Sequence, residues 1–442
     1  MITKPTKKSS APAAEVTKKM QAVKGMHDVL PSDYPTWEKI QKIYRELTEC
    51  YNFQHIQTPI LEDASLFARS SGEESDIVAK EMFTLKTKGG DTLALRPEGT
   101  AGVVRSYIEH GMSHLPHPLK LAYTGPYFRY EQPQAGRERQ FHQIGLEIFS
   151  TENDPIYDAQ IILFTHRFFE ELKIKGLTIH INSIGCKTCR PHYRKALTTY
   201  YKAREKQLCD DCKRRLPVNP LRLLDCKKEQ CQPLKERAPI TLDHVCTLCK
   251  KHFKEVLEYL DNLKLPYLLN NFLVRGLDYY TKTVFEFYLD PLPDEEPFGR
   301  ALCGGGRYDY LVEQLGGPST PAVGVGIGLS PIREVLKRRA ITLIGKPKDK
   351  VFLIHIGDLA KKRSLCLIET LRQAHVHVVE SLGKESLGAQ LRAADKMGSP
   401  LALIYGQKEA HEESVLIRDM KTGAQEIVLI AKLPEMIKKR LG

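Results

Sequence analysis

The chain has 442 residues, more than one ordinary hydrophobic core organises, so two or three domains are expected, each large enough to fold without disulfide staples. With 42% hydrophobic and 27% charged residues it reads as globular, and no apolar run approaches bilayer-spanning length, which excludes a membrane-spanning helix bundle. The formal charge of +12 favours a polyanionic partner, nucleic acid first, and the N-terminus lacks the apolar core of a secretory signal, so a soluble cytoplasmic protein is expected.

Residues 1–23 carry Lys4, Lys7, Lys8, Lys18 and Lys19 against the single acid Glu15 and read as a flexible basic tail. Trp37, Ile40, Ile43, Tyr44 and Leu47 fall at helical spacing behind Pro35, which predicts an amphipathic helix from Pro35 to about Cys50. The segment from Phe53 to Glu62 reads as extended, and Pro59, which cannot donate to a ladder, puts it at a sheet edge or bulge. Leu119 to Tyr123 and Phe141 to Phe149 read as strands flanking a charged loop.

Eight of the eleven cysteines lie between about Gly185 and His252: Cys186 and Cys189, Cys209 and Cys212, Cys226 and Cys231, Cys246 and Cys249. Three of these pairs have the C-x-x-C spacing that lets two thiolates reach one tetrahedral ion. At least one structural four-thiolate zinc site is expected, with reduced thiols as the alternative and disulfides disfavoured in a reducing compartment. After Gly345 to Lys348, strand-length runs at Val351 to Ile356, Val376 to Glu380 and Leu401 to Tyr405 alternate with helix-length segments at Leu359 to Ala374 and Leu387 to Met397. That alternation predicts a small α/β domain over 346–442, of a kind that serves many functions.

Chemistry concentrates in five strings. They are Arg96-Pro97-Glu98-Gly99-Thr100, Phe128-Arg129-Tyr130-Glu131, the stretch from Arg137 to Glu147, Arg275-Gly276-Leu277-Asp278-Tyr279-Tyr280, and Gly304-Gly305-Gly306-Arg307. An arginine beside tyrosines can be a salt bridge packed on an aromatic face, but with a carboxylate and a glycine triplet it can also hold a zwitterion and a phosphate. In this order the strings closely resemble the histidyl-tRNA synthetases, class II aminoacyl-tRNA synthetases, from about Lys24 to the C-terminus.

The resemblance implies an α+β chain. A class II antiparallel-sheet catalytic domain would span 24–345, with a helical cysteine-rich insertion at about 185–265, followed by an anticodon-binding α/β domain over 346–442. It implies a homodimer joined through the first helix and strand, a histidine–tRNA ligase that forms histidyl-adenylate from L-histidine and ATP, magnesium with the ATP, and histidine tRNA as partner. Arg129 and Arg275 would be catalytic. Histidine would meet Glu98, Gly99, Thr100, Arg129, Gln143, Glu147, Arg275, Tyr279 and Tyr280, with Glu147 and Tyr280 on the two ring nitrogens. ATP would meet Arg129, Glu131, Arg139, Gly304, Gly305 and Arg307. On its own, Glu147 could equally pair with an arginine such as Arg139. Many family members lack the insertion's cysteines, so the chemistry is not expected to depend on them.

Four positions depart from the family pattern: Lys24 and Gln132 stand where arginine is usual, and Ser330-Pro331 replaces a Glu-Arg whose arginine grips the ATP γ-phosphate. Ser330 is expected to cap a helix with Pro331 at its first position. Arg333 lies about 200° around that helix, a poor direct substitute. The lost arginine keeps open a second reading, a histidine-binding regulatory paralogue without ligation. A third, a zinc-dependent nucleic-acid-binding protein, explains the cysteines and charge but not the pocket.

Overall fold

The computed structural model describes residues 20–72, 75–131, 138–293, 295–344, 350–383 and 386–441. Most of the basic tail, the charged loop from Gln132 to Arg137 and the Gly345 to Lys348 linker therefore lie outside the described residues. The chain divides between Leu343 and Ile344 into two compact units.

In the first unit, helix Tyr34–Cys50 buries Trp37, Ile40, Ile43 and Tyr44, the stripe its sequence spacing predicts. The Tyr44 hydroxyl donates to the Tyr123 and Gly145 carbonyls at 3.1 and 3.2 Å, pinning the helix across two strands. The extended segment after it is not one strand. Gln54–His55 pairs parallel with Leu121 and Ala122 at a sheet edge, while Leu61–Asp63 joins a separate three-stranded sheet. Pro59 lies between the two, where no ladder bond is needed.

The main sheet has eight strands. In spatial order they are Gln54–His55, Leu119–Phe128, Gln140–Phe149, Ala322–Gly328, Ala301–Arg307, Thr281–Leu289, Leu177–Ser183 and Tyr267–Leu269. The pairings are antiparallel except at the two outer edges, where they are parallel. Side-chain alternation gives the sheet two different faces. Ile144, Leu146, Ile148, Val323, Val325, Ile327, Phe285 and Phe287 enter a large apolar core with helices Ile156–Glu171, Thr247–Asn262 and Leu329–Arg338. The intervening residues, among them Gln143, Glu147, Gly324, Gly326 and Glu286, form the other face, which carries the cavity.

The expected helical insertion is present, with helices Arg190–Lys202, Asp210–Val218 and Gln232–Glu236 around a small core of Tyr193, Leu197, Leu216 and Leu224. The second unit is a five-stranded sheet in the order Val378–Glu380, Val351–His355, Leu401–Tyr405, Ser414–Asp419 and Gln425–Leu429, parallel through the first three strands and antiparallel through the last two. Helices Asp358–Gln373, Leu387–Lys396 and Leu433–Leu441 complete it. The final hairpin and last helix extend the strand–helix alternation read from sequence. No helix among the described residues is long and apolar enough to cross a membrane.

Candidate active site

A cavity of about 260 Å³ opens on the polar face of the main sheet. Glu98 and Thr100 enter it at the start of helix Thr100–Glu109, where the Glu98 carboxylate accepts from the Thr100 and Ala101 amides at 2.7 and 2.8 Å. A carboxylate stabilises these otherwise unpaired first-turn donors. Burial nevertheless pushes the Glu98 carboxyl above its ordinary range. Gln143 reaches in from Gln140–Phe149, and its amide oxygen has no partner among the described residues. The space it occupies exists because residue 326 is glycine, where a Cβ would lie 1.8 Å from its amide nitrogen.

Two guanidinium groups line the same cavity. Arg129 donates from Nε to the Pro97 carbonyl at 2.8 Å and lies over the Phe141 ring. Arg275 pairs with Glu286, which also accepts from the Tyr288 hydroxyl at 2.7 Å, while Arg275 Nε has no hydrogen-bond partner among the described residues. Burial opposes the Arg275 charge, but the neighbouring Glu286 holds the group protonated. A Cβ at Gly304 would fall 2.4 Å from this guanidinium, so the glycine provides its room. Gly99, Glu131, Tyr279, Tyr280 and Gly304 of the expected set also line the cavity.

Glu147 is placed differently from expectation. It lies one layer behind the wall, fully buried, with its oxygens taken by the hydroxyls of Thr100 (2.8 Å), Tyr123 (2.8 Å) and Tyr308 (2.6 Å). Neither Arg139 nor another arginine is among these partners. Burial pushes its carboxyl up to about 8, against the pull of the three hydroxyl donors. A Cβ at Gly324 would collide with it at 1.7 Å, so this glycine gives the carboxylate its space.

Three of the expected ATP ligands are not on the cavity wall. Arg307 is fully buried, bonded to Asp158, Asp309 and the Asp154 carbonyl. Gly305 is wedged between strands, where a Cβ would lie 2.2 Å from the Gly324 carbonyl. Arg139 stacks on Tyr130 at 3.8 Å and donates to the Glu131 carbonyl at 3.3 Å.

Ser330 is not a cap either. Helix Leu329–Arg338 is capped by Gly328, and the Ser330 hydroxyl donates to Glu138 at 2.5 Å. Pro331 is the third helical residue, tolerated because first-turn amides have no intrahelical acceptor. Ser330, Pro331 and Glu138 all line the cavity, whereas Arg333 pairs with Asp33 at 3.3 Å and lines an adjoining one that shares Glu138 and Ser330.

Sequence reasoning passed over Tyr123, Tyr308 and Glu286. Only Glu286 had a local signal, an acid inside the apolar strand Thr281–Leu289.

Away from this cavity, the eight insertion cysteines form two groups of four: Cys186, Cys189, Cys246 and Cys249, and Cys209, Cys212, Cys226 and Cys231. Within each group the sulfur atoms all lie within 4.8 Å of one another. Four sulfur donors so disposed fit a tetrahedral soft-metal ion.

The histidyl-tRNA synthetase family profile matches residues 25–332, and an anticodon-binding domain profile matches 350–440. The histidine–tRNA ligase of Dehalococcoides mccartyi is 44% identical over 421 residues, which is 95% of this chain and 100% of that one. That of Thermodesulfovibrio yellowstonii is 43% identical over 423 residues, 96% and 99% of the two chains. The apo crystal structure of Staphylococcus aureus histidyl-tRNA synthetase superposes with a TM-score of 0.78 at 33% identity, over 95% of this chain and 100% of that one. The chain belongs to the histidyl-tRNA synthetase family.

Proposed function

We propose that the cavity activates histidine with ATP and passes it to the 3′ end of histidine tRNA, which makes the chain a histidine–tRNA ligase. The observation that carries this is the presence of Arg129 and Arg275 on the wall of one cavity that also offers Glu98 and Gln143. The last two suit an ammonium group. The two guanidinium groups suit a carboxylate attacking a phosphorus, because charge accumulates on phosphate oxygens and fixed cations neutralise it without reorganising.

The histidine carboxylate oxygen attacks the ATP α-phosphorus, and the bond to pyrophosphate breaks. The attacking group is already ionised, so no general base is required. Glu131 meets the adenine edge, and Tyr280 meets one ring nitrogen. Thr100 and Tyr123, oriented by Glu147 behind them, meet the other. In the second step a terminal tRNA hydroxyl attacks the adenylate carbonyl and AMP leaves. A site that bonds both ring nitrogens discriminates against isosteres lacking them by roughly 10⁴ to 10⁵, so no editing step is needed.

Magnesium accompanies ATP, and Glu138 with Ser330 supplies oxygen donors of the type it prefers at the end of the cavity. We infer a cytoplasmic homodimer paired through helix Tyr34–Cys50 and the short strand after it. The α/β unit, matched by the anticodon-binding profile, contacts the tRNA anticodon. Retention of both cavity arginines in a chain that also carries such a unit supports ligation over a histidine sensor. Histidine-dependent exchange of pyrophosphate into ATP, followed by charging of histidine tRNA, tests the reading. Exchange with no charging would limit it to the first step, and histidine binding with no exchange would favour the regulatory paralogue.

A further inference from the structure

We propose that the cysteines hold two zinc ions, and that the ion held by Cys186, Cys189, Cys246 and Cys249 fixes the histidine-binding loop through Arg190. A regular tetrahedron with zinc–sulfur bonds of roughly 2.3 Å has sulfur–sulfur edges of roughly 3.8 Å. The structure gives 3.7 Å for Cys186–Cys189, 3.9 Å for Cys186–Cys246 and 3.8 Å for Cys189–Cys249. In the second group Cys209–Cys226 and Cys212–Cys231 are 3.8 and 3.9 Å apart. A disulfide needs roughly 2.0 Å, and all eleven cysteines are free. In each group a backbone amide also points at a sulfur, Cys186 N at Cys189 Sγ (3.2 Å) and Cys209 N at Cys231 Sγ (3.4 Å), an arrangement that favours thiolate over thiol. Gly185 has φ +72°, and a Cβ there would lie 2.7 Å from Cys189 Sγ, so the turn into the first group admits only glycine comfortably.

The two groups differ in what they tie together. The second lies wholly inside the insertion. The first joins cysteines 60 residues apart and so closes the insertion at its base, where strand Leu177–Ser183 leaves the sheet and helix Thr247–Asn262 returns to it. Arg190 is the first residue of helix Arg190–Lys202, directly after Cys189. Its guanidinium donates to the Ile184 and Gly185 carbonyls and to the carbonyl of Tyr280 on the cavity wall. The Gly185 carbonyl in turn accepts the Lys282 amide at 2.9 Å, and the Ile184 amide donates to the Lys282 carbonyl at 2.8 Å. An ion that locks the Cys186–Cys189 turn therefore fixes the start of the helix, and with it the group that holds the Tyr279–Tyr280 segment. Arg190 is a positioning residue, and this part of the inference rests on the histidine-binding role proposed for Tyr280.

The test uses the full chain purified without added metal or chelator. Elemental analysis should give two zinc equivalents per chain, and cobalt(II) replacement should give the absorption of tetrahedral four-thiolate sites. A Cys246→Ser, Cys249→Ser variant and a Cys226→Ser, Cys231→Ser variant should each keep one. By calorimetry, the first variant should bind histidine about tenfold more weakly with ATP binding unchanged, the size expected for losing one charge-assisted contact. The second variant should bind both as wild type does. Arg190→Ala, which keeps every thiol, should reproduce the histidine effect with two zinc ions in place, and Arg190→Lys should recover part of it. Fewer than two equivalents in the wild type overturns the two-ion assignment, and unchanged histidine affinity in Arg190→Ala overturns the coupling. Because the metal count needs no activity, failure of the ligase reading would show separately, as absence of histidine binding in a zinc-loaded wild type.

Discussion

Arg275 and Arg307 both come from strings that carry the family resemblance, and both pair with carboxylates, yet the structure gives them opposite work. Arg307 is enclosed by Asp158, Asp309 and the Asp154 carbonyl, with His252 3.4 Å from Asp158 and Lys282 3.0 Å from Asp309. Among the described residues Arg275 has one carboxylate partner, Glu286, and an Nε without a hydrogen-bond partner, and a glycine strand gives it room on the wall of a cavity. Both guanidinium groups are charged and paired, but the Arg307 side chain is 0% exposed and that of Arg275 is 21% exposed. What differs is hydrogen-bonding capacity left over after folding: where all of it is spent internally an arginine holds the fold, and where some faces a cavity it can hold a ligand.

The largest expected effect lies on the structural side. Arg307→Met leaves Asp158 buried without its main countercharge and should destabilise the first unit by about 3–5 kcal/mol in urea unfolding, with histidine and ATP affinities unchanged in the fraction that folds. Burial opposes ionisation of Asp158, but Arg307 holds its carboxyl well below the usual range. The stability this contributes is complete above the ordinary carboxylate value near 4 and is lost as pH falls through the lower folded value, so the acid limb of the wild-type stability profile should flatten in Arg307→Met.

Arg275→Ala should do the reverse. Pyrophosphate exchange should fall by about 10² to 10³, the cost of removing one preorganised charge-stabilising donor, with little change in the urea midpoint. If Arg307→Met instead abolished exchange in a stable protein, or Arg275→Ala unfolded the chain, the division between the two arginines would be wrong.

Pro331→Arg sharpens the comparison at the other end of the cavity. A restored cation should raise the exchange rate about tenfold, one charge-assisted contact felt in the transition state. Arg333→Ala should change it little, since Arg333 is held by Asp33 outside this cavity. Glu147 gives a pH slope rather than a loss at one pH, because burial pushes its carboxyl up to about 8. A raised folded value means that its contribution to stability is full below about 4.5 and declines, by about 1.4 kcal/mol per pH unit, as pH rises toward 8. Glu147→Gln should remove that slope from the stability profile.

Much of this was legible in the chain. The helix behind Pro35, the strands on either side of the charged loop and the first three strands of the second unit follow from period and punctuation, because each buries a continuous stripe. The hairpin of Ser414–Asp419 and Gln425–Leu429 was not, since its outer strand exposes Ile427 and Leu429 and carries no clean alternation. The cavity's motif residues could be named, but their depth could not. Glu147 is turned into a support by hydroxyls 24 and 161 residues away, and Arg307 into a core residue by an aspartate 149 residues away. Distances of that kind are set by which strands become neighbours, and no local pattern encodes them. The cysteines show the same limit: C-x-x-C spacing announces pairs, while only the fold joins Cys186 and Cys189 to Cys246 and Cys249.

The central claim is that the cavity between Arg129 and Arg275 joins histidine to the adenylate of ATP. Exchange of labelled pyrophosphate into ATP, run with the wild type and Arg275→Ala with and without L-histidine, tests it most directly. The account predicts exchange that requires histidine and is lost by about two decades or more in the variant. Exchange indifferent to histidine, or no exchange by a wild type that binds both substrates, would contradict it.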